Sequence, residues 1–569
     1  MKNTMGALLL AAAAAVPAQA ERSLLIQGSL TEQGELQLRY QPPPGVQELP
    51  FAKHQEHGLA AWRKQLQLRP DDCTELLPSV LRLRPGCQAA TLTIRPQTLQ
   101  AYAVYQPAEP LSDGQGVLLH TGHHLVLLPD TALRWEWRAP WVAEGGTLHA
   151  QGPVLRQLSA GQVNQALAQQ AREGSLPEQL GLWDYLLLGR SELQRAPGAV
   201  LDGGLGAERV QQLQQLLAQI HADYAQAYGE APPGGMVVAV ASELRGYHGD
   251  TTVGPMMRLR LPMNAAALSQ ADLRYFLAHE TAHWWNSGLY SSDEQRPWLH
   301  EGHAEWLAHV QQRPHQPQAD WNARVERALN ACLRLRAGQV AVGLPTGRKS
   351  REDYDCGMSL FLTAQALHAQ RSPEARRGLQ GLASLHAGAV RLTAERLLEW
   401  ADGPLANPAE GGLGQLLLDP EQEFSAGLSG LLQRLGVARA ERLQSSEGLG
   451  LADRQGRAGG LLADLMRADC AGGVGFWTLD DGFKLDPRLI SCTRLPREGK
   501  VIALQGQALL ERPLEAQAAA AAACREGPSV QLGLQGGGTV VLNCPQGWAR
   551  ERPQWQLRLL PGAHQLIGL

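Results

Sequence analysis

The spacing of apolar positions changes twice along this chain. Between residues 21 and 195, short alternating or wholly apolar runs at 35–40, 90–94, 116–119 and 133–137 are separated by Pro and Gly. That pattern predicts β-strands joined by turns. One stretch among them, 160–172, repeats at helical period. From 196 to 450 the helical period dominates. Residues 210–228 and 321–335 are amphipathic, 371–450 read as further helices, and apolar runs at 236–241 and 255–261 predict two buried strands. From 455 to 550 the period shortens again. A glycine-rich stretch at 472–476 precedes an apolar run at 501–507, an Ala-rich helix at 515–524 and a glycine-turned hairpin at 529–544. The expected fold is therefore multidomain α+β. A β-rich N-terminal domain (21–195) precedes a mainly helical domain (196–450) and a C-terminal β/α domain (455–550).

Composition narrows the setting. Residues 1–20 carry one lysine, an apolar run and Ala18-Gln19-Ala20, the form of a secretory signal peptide cleaved after Ala20. The run is too short to span a bilayer, and no later stretch is long enough. The expectation is a periplasmic or secreted protein without an integral membrane segment. Eight cysteines fall in four near pairs: Cys73 and Cys87, Cys332 and Cys356, Cys470 and Cys492, Cys524 and Cys544. Spacing alone leaves their connectivity open. Nearest-neighbour pairing keeps each bridge inside one expected domain, and export favours oxidation. A net charge of −4 with no basic cluster excludes nucleic acid as a partner.

The chemistry concentrates between Ser269 and His309. His279-Glu280-Thr281-Ala282-His283 is an H-E-x-x-H pattern. On a helix, positions four apart share a face, so both imidazoles can reach one ion. Glu280 lies one step round, beside the ion rather than on it, where it could take a proton from water. Ser269 and Asp272 have capping-box-like spacing, and Leu273, Phe276 and Leu277 continue an apolar stripe. Pro297 then opens a second helix, and seventeen residues separate His283 from Glu301. A carboxylate returning there completes three protein ligands and leaves one zinc position open. His120, His123 and His124 have no carboxylate or cysteine within their run and read as a turn cluster.

H-E-x-x-H followed by Trp298-Leu299-His300-Glu301-Gly302-His303-Ala304-Glu305-Trp306 resembles the gluzincin metallopeptidases, the glycyl aminopeptidase and aminopeptidase-N branches in particular. His283-Trp284-Trp285-Asn286 is similar to the H-x-W-N of glycyl aminopeptidases. The resemblance implies a thermolysin-like catalytic domain with one zinc per chain, held by His279, His283 and Glu301, and Glu280 as general base. It makes Glu305, one turn beyond Glu301, the acceptor of a hydrogen bond from a ligand histidine. His303 stands roughly 200° from Glu301 on an ideal helix and reads as a polar helix residue. Tyr354-Asp355-Cys356-Gly357 resembles the family's Tyr-x-x-Gly, which implies that the Tyr354 phenol serves the oxyanion from a loop. A Cys332–Cys356 bridge would hold that loop. Two departures stand out. The interval before Glu301 is one residue shorter than in aminopeptidase-N relatives. Residues 253–258 also lack the glutamate that holds a substrate's free amine there.

The tail resembles a PDZ domain. Gly473, Val474, Gly475 and Phe476 take the place of the loop that receives a peptide's terminal carboxylate, and protein C-termini are the implied partners. The function these resemblances imply is an exported zinc peptidase acting on peptide or protein substrates, aminopeptidase-like in kind. The alternative is a non-catalytic binding or scaffold protein that acts through its PDZ-like tail.

Overall fold

The computed structural model describes residues 22–569 apart from 53–66, 100–105, 145–146, 151–152, 174–183, 191–194, 197, 230–234, 244–246, 252–255, 264–268, 287–295, 340–350, 375–376, 387–391, 404–410, 471–474, 487–491, 497 and 550–551. The expected signal peptide lies outside the described residues. The chain forms two compact units, residues 1–211 with 233–267, and residues 212–232 with 268–569.

The first unit is β-rich, as the alternation predicts. Its largest sheet has the strand order Val154–Leu158, Ala132–Arg138, Ser23–Leu30, Leu36–Gln41, Ala90–Arg95, Gln67–Pro70. Ser23–Leu30 runs parallel to Ala132–Arg138 and antiparallel to Leu36–Gln41. Every second residue points inward, so Leu24, Ile26, Leu36, Leu38, Tyr40, Leu92 and Ile94 meet in one core with Trp135 and Trp137. The helix Ala160–Glu173 covers the expected helical stretch. The strands Met236–Ser242 and Met256–Pro262 pair in parallel and are almost wholly buried, which explains their unbroken apolar runs. They belong to this unit, whereas the sequence boundary at 195/196 assigned them to the catalytic region. Sheet pairing, which the local pattern cannot report, decides where they go. Arg258, on the second of these strands, is buried between Glu109 and Asp250 at 2.6 Å from each. A charge so desolvated requires such partners.

The second unit is helical at first. Gln270–Asn286, Pro297–Gln312, Gln318–Arg336 and Arg351–Arg371 follow one another, and shorter helices lead to Phe424–Arg434. Strand Ala438–Leu443 then pairs antiparallel with Gln554–Leu559. Everything between them leaves and returns at one place. The expected β/α tail is thus an insertion with its own core, built from Leu462, Met466, Phe483, Val501, Leu504, Leu532, Leu542 and Trp548. Its main sheet runs Phe476–Leu479, Gly482–Leu485, Lys500–Leu504, Ser529–Leu534, Thr539–Asn543. The returning strand is pinned by Asn330 of Gln318–Arg336, whose side-chain amide accepts from the Leu557 N–H (2.8 Å) and donates to its carbonyl (3.0 Å).

The four near cysteine pairs are the four disulfides. Among the described residues, no helix is long and apolar enough to cross a membrane.

Candidate metal centre

The Ser269 hydroxyl accepts from the Asp272 amide (3.1 Å) and donates to its carboxylate (2.7 Å), so the helix Gln270–Asn286 starts at the capping pair. From that start His279 and His283 fall on one buried face. Pro297 opens the next helix and brings Glu301 opposite them. His279 Nε2 and His283 Nε2 stand 3.2 Å apart, and each lies 3.5 Å from Glu301 Oε2.

Two nitrogens that close, facing a carboxylate, are mutually repulsive unless a proton or cation lies between them. Two donors about 2.1 Å from a tetrahedral zinc stand about 3.4 Å apart, so this near-equilateral triangle has the size of one zinc shell. Among the described residues one other trio of potential ligands converges, Asp469 with Cys470 and Cys492, but its sulfurs are bonded to each other.

The outer ring nitrogens differ. His283 Nδ1 donates to Asn286 Oδ1 (3.2 Å), and the Asn286 amide donates to the His300 carbonyl (2.9 Å). This partner favours the tautomer with the proton on Nδ1 and a deprotonated Nε2, the form that can bind a cation. His279 Nδ1 is buried without a hydrogen-bond partner, and Glu305 Oε2 lies 3.7 Å from it. Burial holds the His279 ring below its ordinary pKa and favours the neutral form that binds metal. The same cause pushes the Glu305 carboxyl up to about 8. Glu280 is buried next to His279 on the same helix.

Tyr354 is not on a loop, contrary to the sequence expectation. It sits in the first turn of Arg351–Arg371, which starts early because Glu352 and Asp353 favour a helix N-terminus. The Cys332–Cys356 bridge therefore joins two helices rather than bracing a loop. The phenol ring stacks on the His279 ring with centroids 5.7 Å apart. His303 turns the other way, against Phe361 (4.8 Å between centroids) and His386 (5.0 Å). Of the carboxylate-loop residues, Gly473 and Val474 lie outside the described residues, while Gly475 and Phe476 lead into strand Phe476–Leu479. The segment expected to carry an amine-binding glutamate is described only from Met256 onward.

Sequence reasoning missed three supporting residues. Asn286 entered only as a letter of H-x-W-N, His309 only as the end of the stretch, and Tyr275 not at all. Tyr275 is four before His279 and His309 four after Glu305, so the helical spacing that singles out His279, His283 and Glu301 also reaches them.

No family model matches the chain, and no curated protein matches its sequence. Among solved structures, native yeast LTA4 hydrolase is 11% identical with a TM-score of 0.40, over 79% of this chain and 78% of that one. The aminopeptidase N family protein from Idiomarina loihiensis is 13% identical with a TM-score of 0.54, over 96% of this chain and 100% of that one. Over nearly its full length, this chain shares the multidomain α+β fold of that aminopeptidase N family protein.

Proposed function

We propose that this protein is an exported zinc-dependent peptidase. The observation that carries the reading is the donor triangle of His279, His283 and Glu301, with sides of 3.2, 3.5 and 3.5 Å. Those three residues would hold the ion. When bound, zinc supplies Lewis acidity to a water and to the scissile carbonyl. Glu280, beside the ligand His279, takes the proton of the attacking water as its oxygen bonds to the carbonyl carbon. It then delivers that proton to the leaving nitrogen as the C–N bond breaks. Tyr354 donates its phenol hydrogen bond to the oxyanion. The four disulfides, and the absence of a membrane-length helix among the described residues, are compatible with a periplasmic or secreted setting.

Residue variants test the roles separately. His283→Ala should lose most bound zinc. Glu280→Gln should keep zinc while peptide hydrolysis falls by orders of magnitude, and comparable hydrolysis by the zinc-loaded Gln variant rejects Glu280 as the base.

A second reading, a non-catalytic protein acting through its insertion, rests on the lack of any carboxylate in residues 253–258. Hydrolysis of a peptide library by the zinc-replete wild type, absent in Glu280→Gln, decides against it. In either reading we assign to the PDZ-like insertion an extended peptide with a free C-terminus. What supports this is the position of Phe476–Leu479 at one end of its sheet, with Trp477 and Leu479 exposed.

A further inference from the structure

The motif helix Gln270–Asn286 and the helix Pro297–Gln312 carry two facing stripes at four-residue spacing, running in opposite directions. His283 faces Glu301 and His279 faces Glu305, and one turn further Tyr275 faces His309. The third rung is a hydrogen-bonded junction. The Tyr275 hydroxyl donates to Glu305 Oε2 and lies 3.2 Å from His309 Nε2. A phenol has one proton. With that proton donated in a hydrogen bond to Glu305, the Tyr275 oxygen accepts from His309 Nε2–H. His309 Nδ1, buried and without a hydrogen-bond partner, is then the deprotonated nitrogen.

Neighbouring side chains hold the junction in place. The indole of Trp321 donates to the His309 carbonyl (2.8 Å). The Arg324 guanidinium lies 4.8 Å from the Tyr275 ring centroid and pairs with Asp272 at 2.5 Å. Glu305 and His309 are almost wholly buried.

Glu305 Oε2 is thus the oxygen that Tyr275 holds and the one that stands 3.7 Å from the otherwise unpartnered Nδ1 of His279. Resting on the zinc reading above, we infer that Tyr275, backed by His309, is a positioning residue for the metal. It fixes the Glu305 carboxyl beside His279 with Oε2 as the acceptor facing Nδ1, and so selects the His279 tautomer whose Nε2 is offered to zinc. Asn286 performs the same service for His283, so each ligand histidine has its own anchor. Tyr275 touches neither substrate nor ion in this role. Its effect is on how tightly zinc is held.

The test is the zinc affinity of the full-length protein, measured by competition with a chelator of known affinity. Metal-free melting temperature is recorded alongside. Tyr275→Phe removes the hydroxyl and keeps the ring. It should weaken zinc binding about 10–100-fold, the usual cost of losing an outer partner, while the metal-free protein melts where the wild type does. In a Glu305→Gln background the same substitution should add little, because the group it positions is gone. Wild-type zinc affinity in Tyr275→Phe overturns the inference. So does a loss fully additive with Glu305→Gln, whatever happens to the melting temperature. His283→Ala keeps the two levels apart. If it loses zinc while Tyr275→Phe does not, the metal centre stands and only the positioning role falls. If it binds zinc like the wild type, the zinc reading itself fails.

Discussion

A histidine presents one nitrogen to a cation cleanly only when its other nitrogen is accounted for. At this centre that accounting is local. Asn286, three residues beyond His283, accepts from Nδ1, and Glu305, one turn beyond Glu301, approaches His279. Tyr354 joins the group through ring stacking on His279, which places a phenol beside the converging trio. Tyr354→Phe is therefore expected to lower kcat by about 10²–10³ with little change in KM, because its hydrogen bond matters mainly once the oxyanion has formed. Steady-state kinetics on a peptide substrate check this. An unchanged kcat would remove Tyr354 from the oxyanion account and leave it a packing role beside His279. The convergence of His279, His283 and Glu301 was legible in the sequence, because a four-residue repeat and a short family pattern point to those three positions. Tyr275 and His309 share that spacing but belong to no family pattern, so only the packing of the two helices shows that they meet.

At the scale of elements, a second helix crossing shapes the same centre. Gly302, next to Glu301, and Gly357, three residues after Tyr354, press helices Pro297–Gln312 and Arg351–Arg371 into backbone contact. A Cβ on Gly302 would come 2.3 Å from the Gly357 Cα, and one on Gly357 would come 2.6 Å from the Trp298 carbonyl oxygen. Backbone cannot swing aside as a side chain can. The glycines of the E-G and Tyr-x-x-G patterns are thus two halves of one contact, and it sets the distance between a ligand helix and the phenol helix. Gly302→Ala should cost about 3 kcal/mol or more of stability, the upper end for overpacking a tight site. It should weaken zinc as well, because Glu301 is its neighbour. Thermal unfolding of the metal-free variant measures the first effect and chelator competition the second, and a wild-type melting temperature would mean the helices separate at no cost. Helical period disclosed these elements well. It failed at Leu451–Asp469, where Gly456, Gly459 and Gly460 depress helix propensity. Burial of Ala458, Leu461, Leu462, Leu465 and Met466 overrides that local preference.

At the scale of the whole molecule, the least legible feature was connectivity. Nothing in residues 438–443 or 554–559 announces that they pair with each other, since strand partners far apart in sequence leave no local mark. Their pairing turns an apparent tail into an insertion with both ends at one site, anchored to the helices through Asn330. The last prediction concerns what this insertion holds. Phe476–Leu479 ends its sheet, with Trp477 43% exposed and Leu479 38% exposed. A strand that ends its sheet with apolar side chains exposed is usually covered or put to use. A peptide added there as a further strand would gain main-chain hydrogen bonds, and backbone amides near Gly475 would receive its terminal carboxylate. Two peptides of identical sequence, one with a free C-terminus and one amidated, separate this from general stickiness. With full-length Glu280→Gln protein, so that neither peptide is cut, the free acid should bind at least about tenfold more tightly, a difference of about 1.4 kcal/mol. Trp477→Ala should weaken the free acid and leave zinc affinity as it was. Equal affinity for the two peptides would remove the carboxylate from the account, and an unaffected Trp477→Ala would remove the strand edge.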